Sequence, residues 1–494
     1  MAFEVVKKLF RTVRNLITGE QMKVNPEVAE IQNLSTDRMQ EAITEWLNMY
    51  LGSAPWIDEE GQSLGIPTVM AAEIARSVTL EMEMNINGDS PMAEFIAAQM
   101  KPFLSTIRSK VEYACATGGV IFKPYICDDG ITIETVLPNN FYPTSFDGNG
   151  RITGGFFRFL YYKGKKVYKR FEKHEMLGGG KYRITNKCFV SSDETSLGDL
   201  CELTEVPEWS AISPVVDLNY IREPLFSYFR MPLGNTIDTG SPLGVSVFAR
   251  AVNAIKEADK QYQRLIWEYK ATEAAIDASD DAFDVDINGK PILPEGKERL
   301  YRINSLDSAK TGGSDLFKPW TPAIRDENYI RGMNRMLMQI EDLCCVARGT
   351  ISDLNQDVKT ATEIITTKQR TYSTISDIQS SLEDSLDRLV IAIEELAILY
   401  HLCQAGKYEC AYVWDDSVIV DANTERMRDL QEVTQGLLGE YEYRMTWRGE
   451  DEETARKKID EIKAGRSDNQ ILFGDDDDDD DDDDKEGNEG DDDE

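Results

Sequence analysis

The run KTATEIITTKQRTYSTISDIQSSLEDSLDRLVIAIEELAILYHLCQA, Lys359–Ala405, contains neither Gly nor Pro. A chain without helix breakers over this length predicts one helix several times longer than the mean of about 11–12 residues. At about 1.5 Å per residue it would span roughly 65 Å, more than the width of a small domain, so it must cross a larger object. Tyr372, Ile375, Ile378 or Gln379, Leu382, Leu386, Leu389, Ile393, Leu396 and Tyr400 recur at three- and four-residue steps, with Asp and Glu between them. The spacing predicts one face that packs and an opposite face in water.

Working upstream, Asp326 opens a second helical pattern carried by Ile330, Met333, Leu337, Ile340, Cys344 and Ala347. A third begins where Ser241 offers an N-cap and Pro242 a first helical residue, and it runs to about Ala275 through Val247, Ala251, Ile255, Ala258, Tyr262, Leu265 and Tyr269. The Ser-Pro pair is a standard start signal. Both stripes are narrow, which predicts two helices packed side by side. Between them, residues 276–325 carry Pro291, Pro294, Pro319, Pro322 and the Gly312–Gly313 pair among short strand-like runs, predicting a small β-rich insertion at the far end of the pair.

From about Ile66 to Pro232 the pattern is α/β. Helical stretches near Val69–Leu80 and Ala93–Ala116 lead into VIFKPYI, ITIETVL, GFFRFLYY and KKVYKRFE, separated by Gly, Asp and Asn turns. Gly118 and Gly119 mark a helix stop and turn. No GxxxxGK[ST] phosphate loop is present.

The order is therefore α/β region, long helix, β insertion, returning helix, Gly-led loop, very long helix, short strands and terminal helices. In this order, VNAIKEADKQYQRLIWEYKATEAAIDA, RGTISDLNQDV, KTATEI, YACATGGVIFKPYI and WDDSVIVDANTERMRDLQEVTQGLLG resemble the portal proteins of tailed bacteriophages and related prophages over nearly the whole chain. The resemblance implies an α+β multidomain fold. In it, residues 1–60 are N-terminal helices, 61–240 an α/β wing, 241–275 and 326–348 the stem helices, and 276–325 a β-rich clip. Residues 349–358 become a tunnel loop, 359–403 a long kinked wing helix, 404–422 returning wing strands, 423–465 a helical crown and 466–494 a disordered acidic tail. No Pro is present to place the kink.

The resemblance also implies a homo-oligomeric ring, dodecameric in the family, at one capsid vertex, assembled in the host cytoplasm and retained in the virion. Double-stranded DNA passes through it non-specifically during packaging, retention and ejection. Its partners would be the terminase large subunit, a head-tail adaptor, and the major capsid and scaffolding proteins; no membrane and no cofactor are implied. Loop residues Thr350, Ile351, Ser352, Asp353, Leu354, Asn355, Gln356, Asp357, Val358 and Lys359 would face DNA, with Lys359 near phosphates and Asp353 and Asp357 preventing sticking. A clip hairpin at Asp286, Ile287, Asn288, Gly289 and Lys290 would dock terminase or adaptor.

Charge fits a conduit. The net charge is −35, of which residues 466–494 supply −15, so the body carries −20 of its own. Proteins that grip DNA usually present a basic face, whereas a channel through which DNA slides gains from repelling phosphate. The tail, with ten consecutive aspartates from Asp475 to Asp484, is expected to stay disordered by self-repulsion. At the other end, Phe3, Val6, Leu9, Phe10, Val13, Leu16 and Ile17 oppose Lys7, Lys8, Arg11 and Arg14. These residues predict an amphipathic helix docked on its own body or a virion partner.

A hydrophobic fraction of 41% suffices for more than one domain. The absence of long apolar runs and of a signal peptide predicts a soluble protein, and eight scattered cysteines without CxxC spacing are expected to be buried reduced thiols. Asp284, Asp286, Asn288, Gly289 and Glu295 match a Ca²⁺-loop expression, but Pro291 and Pro294 stand where the exiting helix should begin. The match is a decoy, and Asn288–Gly289 is expected to be a hairpin turn. Catalysis finds little support. His174 and His401 are the two histidines, His401 is expected to pack or cap the long helix, and Asp415 and Asp416 are expected to form a solvated edge. The alternatives are a head-tail adaptor, which would be shorter, and a nucleic-acid enzyme such as a terminase, which would need a nucleotide loop or an acidic metal cluster.

Overall fold

The computed structural model describes residues 35–57, 61–127, 130–194, 196–272, 275–279, 287, 300–304, 317–320, 323–353, 361–414 and 422–471. The chain forms two compact units that divide at Asp415 and Asp416, and the fold is mixed, with helices and several mostly antiparallel sheets.

The first unit opens with helix α1 (Asp37–Tyr50), started by the Thr36 hydroxyl accepting from the Met39 amide at 3.3 Å. Helix α2 (Ile66–Thr79) and strand β1 (Met82–Asn87) come next. Helices α3 (Pro91–Leu104) and α4 (Ile107–Thr117) replace the single pattern expected over Ala93–Ala116. Pro102 has no amide to continue the ladder, so the first of them ends two residues later.

Gly118 then stops α4 at φ +90°, as expected from its place. A Cβ there would lie 2.4 Å from the carbonyl oxygen of Gly244, so the two glycines let two backbones cross in contact. That crossing belongs to residues 241–248, all buried, and it overturns Ser241–Pro242 as a helix start. The amide of Val247 and the hydroxyl of Ser246 donate to the Cys115 carbonyl, and the Gly244 amide donates to the Tyr228 hydroxyl. With its donors spent on neighbours, the segment stays out of the helix, which begins only at Val252.

Strands β2 (Gly119–Cys127), β3 (Gly130–Val136), β4 (Phe141–Phe146), β5 (Ile152–Lys163), β6 (Lys166–Gly178), β7 (Lys181–Ser191), β8 (Asp199–Cys201), β9 (Val215–Asn219) and β10 (Ser227–Arg230) succeed one another along the chain. They form a sheet in the order β10-β2-β3 and a meander in the order β4-β5-β6-β7-β8, with β9 also on β7. Every pairing among them is antiparallel, so the α/β expectation for this region is corrected. The turns decide it: Gly164–Lys165 joins paired Lys163 and Lys166, and Gly179–Gly180 joins β6 to β7, leaving no chain for crossover helices.

Helix α5 (Val252–Ala271) leads into a three-stranded sheet of β11 (Ala275–Ser279), β12 (Leu300–Asn304) and β13 (Phe317–Trp320), in the order β12-β11-β13. Helix α6 (Asp326–Leu343) returns and packs on α5, as the two narrow stripes predict. The guanidinium of Arg325 clamps the buried Glu268 carboxylate at 2.8 and 3.0 Å where the pair meets the small sheet, holding that carboxyl below its usual range.

The decisive run is helix α7 (Ala361–Leu399), continuous over 39 residues and about 58 Å long at roughly 1.5 Å per residue. Ile375, Ile378, Leu382, Leu386, Leu389, Ile393 and Leu396 are buried, while Tyr372 and Tyr400 at the ends of the stripe are exposed. The helix packs on β10 and β2, where Ser381 donates to the Arg230 carbonyl and Ser385 meets Ser227 at 2.9 Å. Its acidic side is not simply wet. Strand β14 (Glu409–Trp414) pairs with β1 and runs back along α7. The Tyr408 hydroxyl donates to Glu394 at 3.0 Å, the Tyr412 hydroxyl to Asp387 at 2.7 Å, and the Trp414 indole to Glu383. Two-residue steps of a strand thus meet three- and four-residue steps of a helix. His401, expected to pack or cap, is exposed just past the helix, in the left-handed region at φ 54°.

The second unit comprises α8 (Ala422–Thr434), α9 (Glu440–Arg448) and α10 (Glu452–Ile471). Helix α10 continues beyond the expected boundary at residue 465, carrying Gly465 inside it, so residues 466–471 are helical. Polar contacts hold the unit: Trp447 donates to Asp429 at 2.8 Å, and Glu450 accepts from Arg444 at 2.9 Å and also from Lys458.

Candidate functional site

The junction between α6 and α7 carries the loop singled out in the sequence. Helix α6 ends through Cys344, and Cys345 turns left-handed at φ 60°. From there the chain is tied on both sides. The Ala347 amide donates to Thr371 at 2.7 Å, and the Thr374 hydroxyl donates to the Cys345 carbonyl at 3.0 Å.

The centre of the junction is Glu341, fully buried. Its carboxylate accepts from the amides of Gly349 at 3.1 Å, Ile351 at 2.6 Å and Ser352 at 2.9 Å, and from the Ser352 hydroxyl at 2.6 Å. A buried carboxylate is tolerable only with such partners. Asn334, two turns earlier on α6, grips Asp353 reciprocally: its amide nitrogen donates to the Asp353 carbonyl and its oxygen accepts from the Asp353 amide, both at 2.8 Å. Asp342 accepts from Arg348 at 2.7 Å and from Arg370 at 3.3 Å, and the guanidinium of Arg348 holds its carboxyl below the usual range.

Of the expected loop residues, Thr350 and Asp353 are exposed, Ile351 is half-buried, and Ser352 is buried with its hydroxyl on Glu341. Ser352 is therefore an anchor of the loop and not an exposed group. Leu354, Asn355, Gln356, Asp357, Val358 and Lys359 lie outside the described residues. So do Asp284, Asp286, Asn288, Gly289, Lys290 and Glu295; of the expected clip hairpin, Ile287 is described and is fully exposed. Asp415 and Asp416 also lie outside, as do the residues expected to form an N-terminal amphipathic helix and the aspartate run.

The anchoring residues Glu341, Asn334, Asp342 and Arg370 were not singled out from sequence. One signal was available: Glu341 sits beside the stripe Met333, Leu337, Ile340, Cys344, and a charge next to an apolar face needs a buried partner.

A second polar constellation has a catalytic look and no access. Glu172 receives Lys123 at 2.9 Å, Arg170 at 2.7 Å and His174 Nε2 at 2.7 Å, while His174 Nδ1 meets the Tyr182 hydroxyl at 2.7 Å. Because the Glu172 carboxylate can only accept, Nε2–H donates to it, and Nδ1 of the neutral imidazole accepts the Tyr182 proton while the Tyr182 oxygen accepts from the Leu225 amide. Burial lowers the pKa of His174, and Glu172, despite its burial, is held well below the usual range by Lys123 and His174. His174 and Tyr182 are buried in the sheet interior, so the network pins β2 to β6 rather than meeting a substrate. Among the described residues, no group of three or more His, Cys, Asp or Glu is arranged to hold a metal ion, and no helix is long and apolar enough to cross a membrane.

The sequence matches no family model and no curated protein. Among solved structures, chains of the virion of a native gene transfer agent (GTA) particle and of the neck of a native GTA particle computed with C12 symmetry are similar at a TM-score of 0.41 and 9% identity. Each match covers 82% of this chain and 92% of that chain. A chain from the neck of an empty GTA particle computed with C6 symmetry is similar at a TM-score of 0.39 and 11% identity, over the same shares. Likeness at this level assigns neither a fold family nor a function.

Proposed function

We propose that this chain is a subunit of a portal: a structural ring at one vertex of a phage-like head through which double-stranded DNA is packaged, retained and ejected. The observation that carries the reading is the run from α5 to α7. Two paired helices lead into and out of a small three-stranded sheet, and the returning helix ends in a corner anchored as far as Asp353, ahead of a 39-residue helix. In this reading α5 and α6 are the stem, the small sheet belongs to the clip, the connection after α6 is the tunnel loop, α7 is the wing helix and α8–α10 form the crown. The ring supplies no ATP chemistry; a terminase drives the DNA and docks on the clip, an adaptor replaces it, and wing and crown meet capsid or scaffolding protein.

The anchored corner gives the loop a mechanical role. Residues 345–353 are tied to α6 and α7 by side-chain bonds, those of Ser352 to Glu341 being buried, so the loop beyond them can approach DNA while its root transmits force to α6 and α7. The acidic body limits phosphate adhesion, and Lys359 offers a single passing contact per subunit. In an assembly system for the whole particle, heads built without this chain should contain no DNA; DNA-filled heads would overturn the portal reading. Lys359→Glu should leave rings intact and slow packaging, and unchanged packaging would remove the loop contact.

A further inference from the structure

Cys188 on β7 and Cys201 on β8 are direct cross-strand partners in an antiparallel pair. Cys201 Sγ donates to Cys188 Sγ at 2.8 Å, across 13 residues of chain. Antiparallel partners stand about 4.5 or 5.5 Å apart at Cα, and both values fall inside the range of about 4.4–6.8 Å that a disulfide spans. The register that creates this pair is fixed locally. Gly198, at φ +80°, lies so close to β7 that a Cβ would fall 2.0 Å from the Val190 carbonyl oxygen. The buried Lys169 ammonium enters the connecting loop, donating to the Ser191 hydroxyl and the Asp193 carbonyl at 2.7 Å each and to the Ser196 carbonyl. A slip of one residue would put the two sulfurs on opposite faces.

We propose that Cys188 and Cys201 are a modification site: they close to an intrachain disulfide under oxidising conditions and clasp the short edge strand β8 to the sheet. With a small-molecule disulfide such as oxidised glutathione, the Cys201 thiolate, on the half-exposed side, attacks one sulfur and expels a glutathione thiolate. Cys188, deprotonated in turn, attacks Cys201 Sγ and expels the second. Two cysteine protons and two electrons pass to two molecules of reduced glutathione, and one S–S bond forms. Burial pushes both thiols above their ordinary range, so closure is slow at neutral pH and faster in alkali.

The bond acts on the segment beyond β8. Leu203, Val206 and Trp209 lie over Tyr168 and Cys188, with Tyr161 and Ile212 beside them, and form an apolar cover next to a three-residue strand. Tying Cys201 to Cys188 shortens the free chain that can lift away. The remaining six cysteines have no Sγ contact of this kind among the described residues. The bond stands independently of the portal reading. Its timing rests on that reading, since a particle leaves a reducing cytosol for oxidising surroundings.

The test is non-reducing peptide mapping of the full-length protein after treatment with oxidised or reduced glutathione, alongside Cys201→Ser, and Cys127→Ser as the control. The expected result is one linked peptide pair containing Cys188 and Cys201, lighter by about 2 Da than the two thiol peptides together. It should be lost in Cys201→Ser and kept in Cys127→Ser. Proteolysis between residues 192 and 212 should slow after oxidation of the unmutated protein and of Cys127→Ser, and stay unchanged in Cys201→Ser. Two free thiols after prolonged treatment, a glutathione adduct that persists on Cys201, or a link from Cys188 to another cysteine would each overturn the proposal.

Discussion

Replacing Glu341 by Gln isolates what the buried carboxylate does for the loop root. The carboxylate accepts from three amides and one hydroxyl, and it is fully buried. Gln keeps one carbonyl oxygen, which can retain the Ile351 and Ser352 amides, but it presents an NH2 where the second oxygen received Ser352 Oγ, and it removes the charge from every remaining bond. Charge-assisted bonds are worth about 1.5–3 kcal/mol and neutral ones about 1 kcal/mol, so the loss of charge from the two retained bonds alone should weaken the corner by about 2 kcal/mol, which sets the minimum effect. At roughly 1.4 kcal/mol per factor of ten, local opening should become about 30-fold more frequent. Hydrogen exchange resolved to peptides is the assay: protection across Gly349–Asp353 should fall by about that factor while β5, β6 and β7 keep theirs. Unchanged exchange at Gly349–Asp353 would refute the reasoning, because the carboxylate would then not be what holds those amides. Equal loss of protection everywhere would refute its locality.

Gly118→Ala should cost about 3 kcal/mol or more in chemical denaturation, because it adds left-handed strain to a 2.4 Å clash with Gly244, whereas Gly52→Ala, at φ +71° with open space around it, should cost only about 1–2 kcal/mol. Glu172→Ala leaves Lys123 and Arg170 buried without their shared carboxylate and should destabilise by about 3–5 kcal/mol; a loss under about 1 kcal/mol would show that water enters the network freely. Acid should loosen the protein in two stages, read as denaturation midpoints across pH. The folded pKa of His174 is lowered, so the unfolded state takes up protons first and stability falls as pH drops below about 6.5. The carboxyls of Asp342 and Glu268 are also lowered, so their contribution is present above their unfolded values of 3.8 and 4.5 and is lost as pH falls below them.

What could be read from residues alone was whatever local chemistry decides. The 39-residue helix follows from a run without Gly or Pro whose apolar positions keep helical spacing, and the strands before it from runs punctuated by glycine turns. Ser241–Pro242 misled because a good cap signal was outweighed by tertiary bonds: the Ser246 hydroxyl goes to Cys115, 131 residues away, and the Gly244 amide to Tyr228, 16 residues away. The acidic side of α7 misled for a similar reason. Glu383, Asp387 and Glu394 look solvated until the chain returns with Tyr408, just ahead of β14, and with Tyr412 and Trp414 within it. At the loop, Thr350–Asp353 were legible as a Gly-led connection. The dependence of Ile351–Asp353 on Glu341 and Asn334 was not, since those partners lie on α6, 10 to 19 residues earlier in the chain.

The most direct test of the central claim is the native mass of the full-length protein together with electron-microscope images of the same fraction. The account predicts a closed ring of about a dozen copies with a central hole wide enough for duplex DNA. A monodisperse monomer or dimer at every concentration, with no ring in the images, would contradict it.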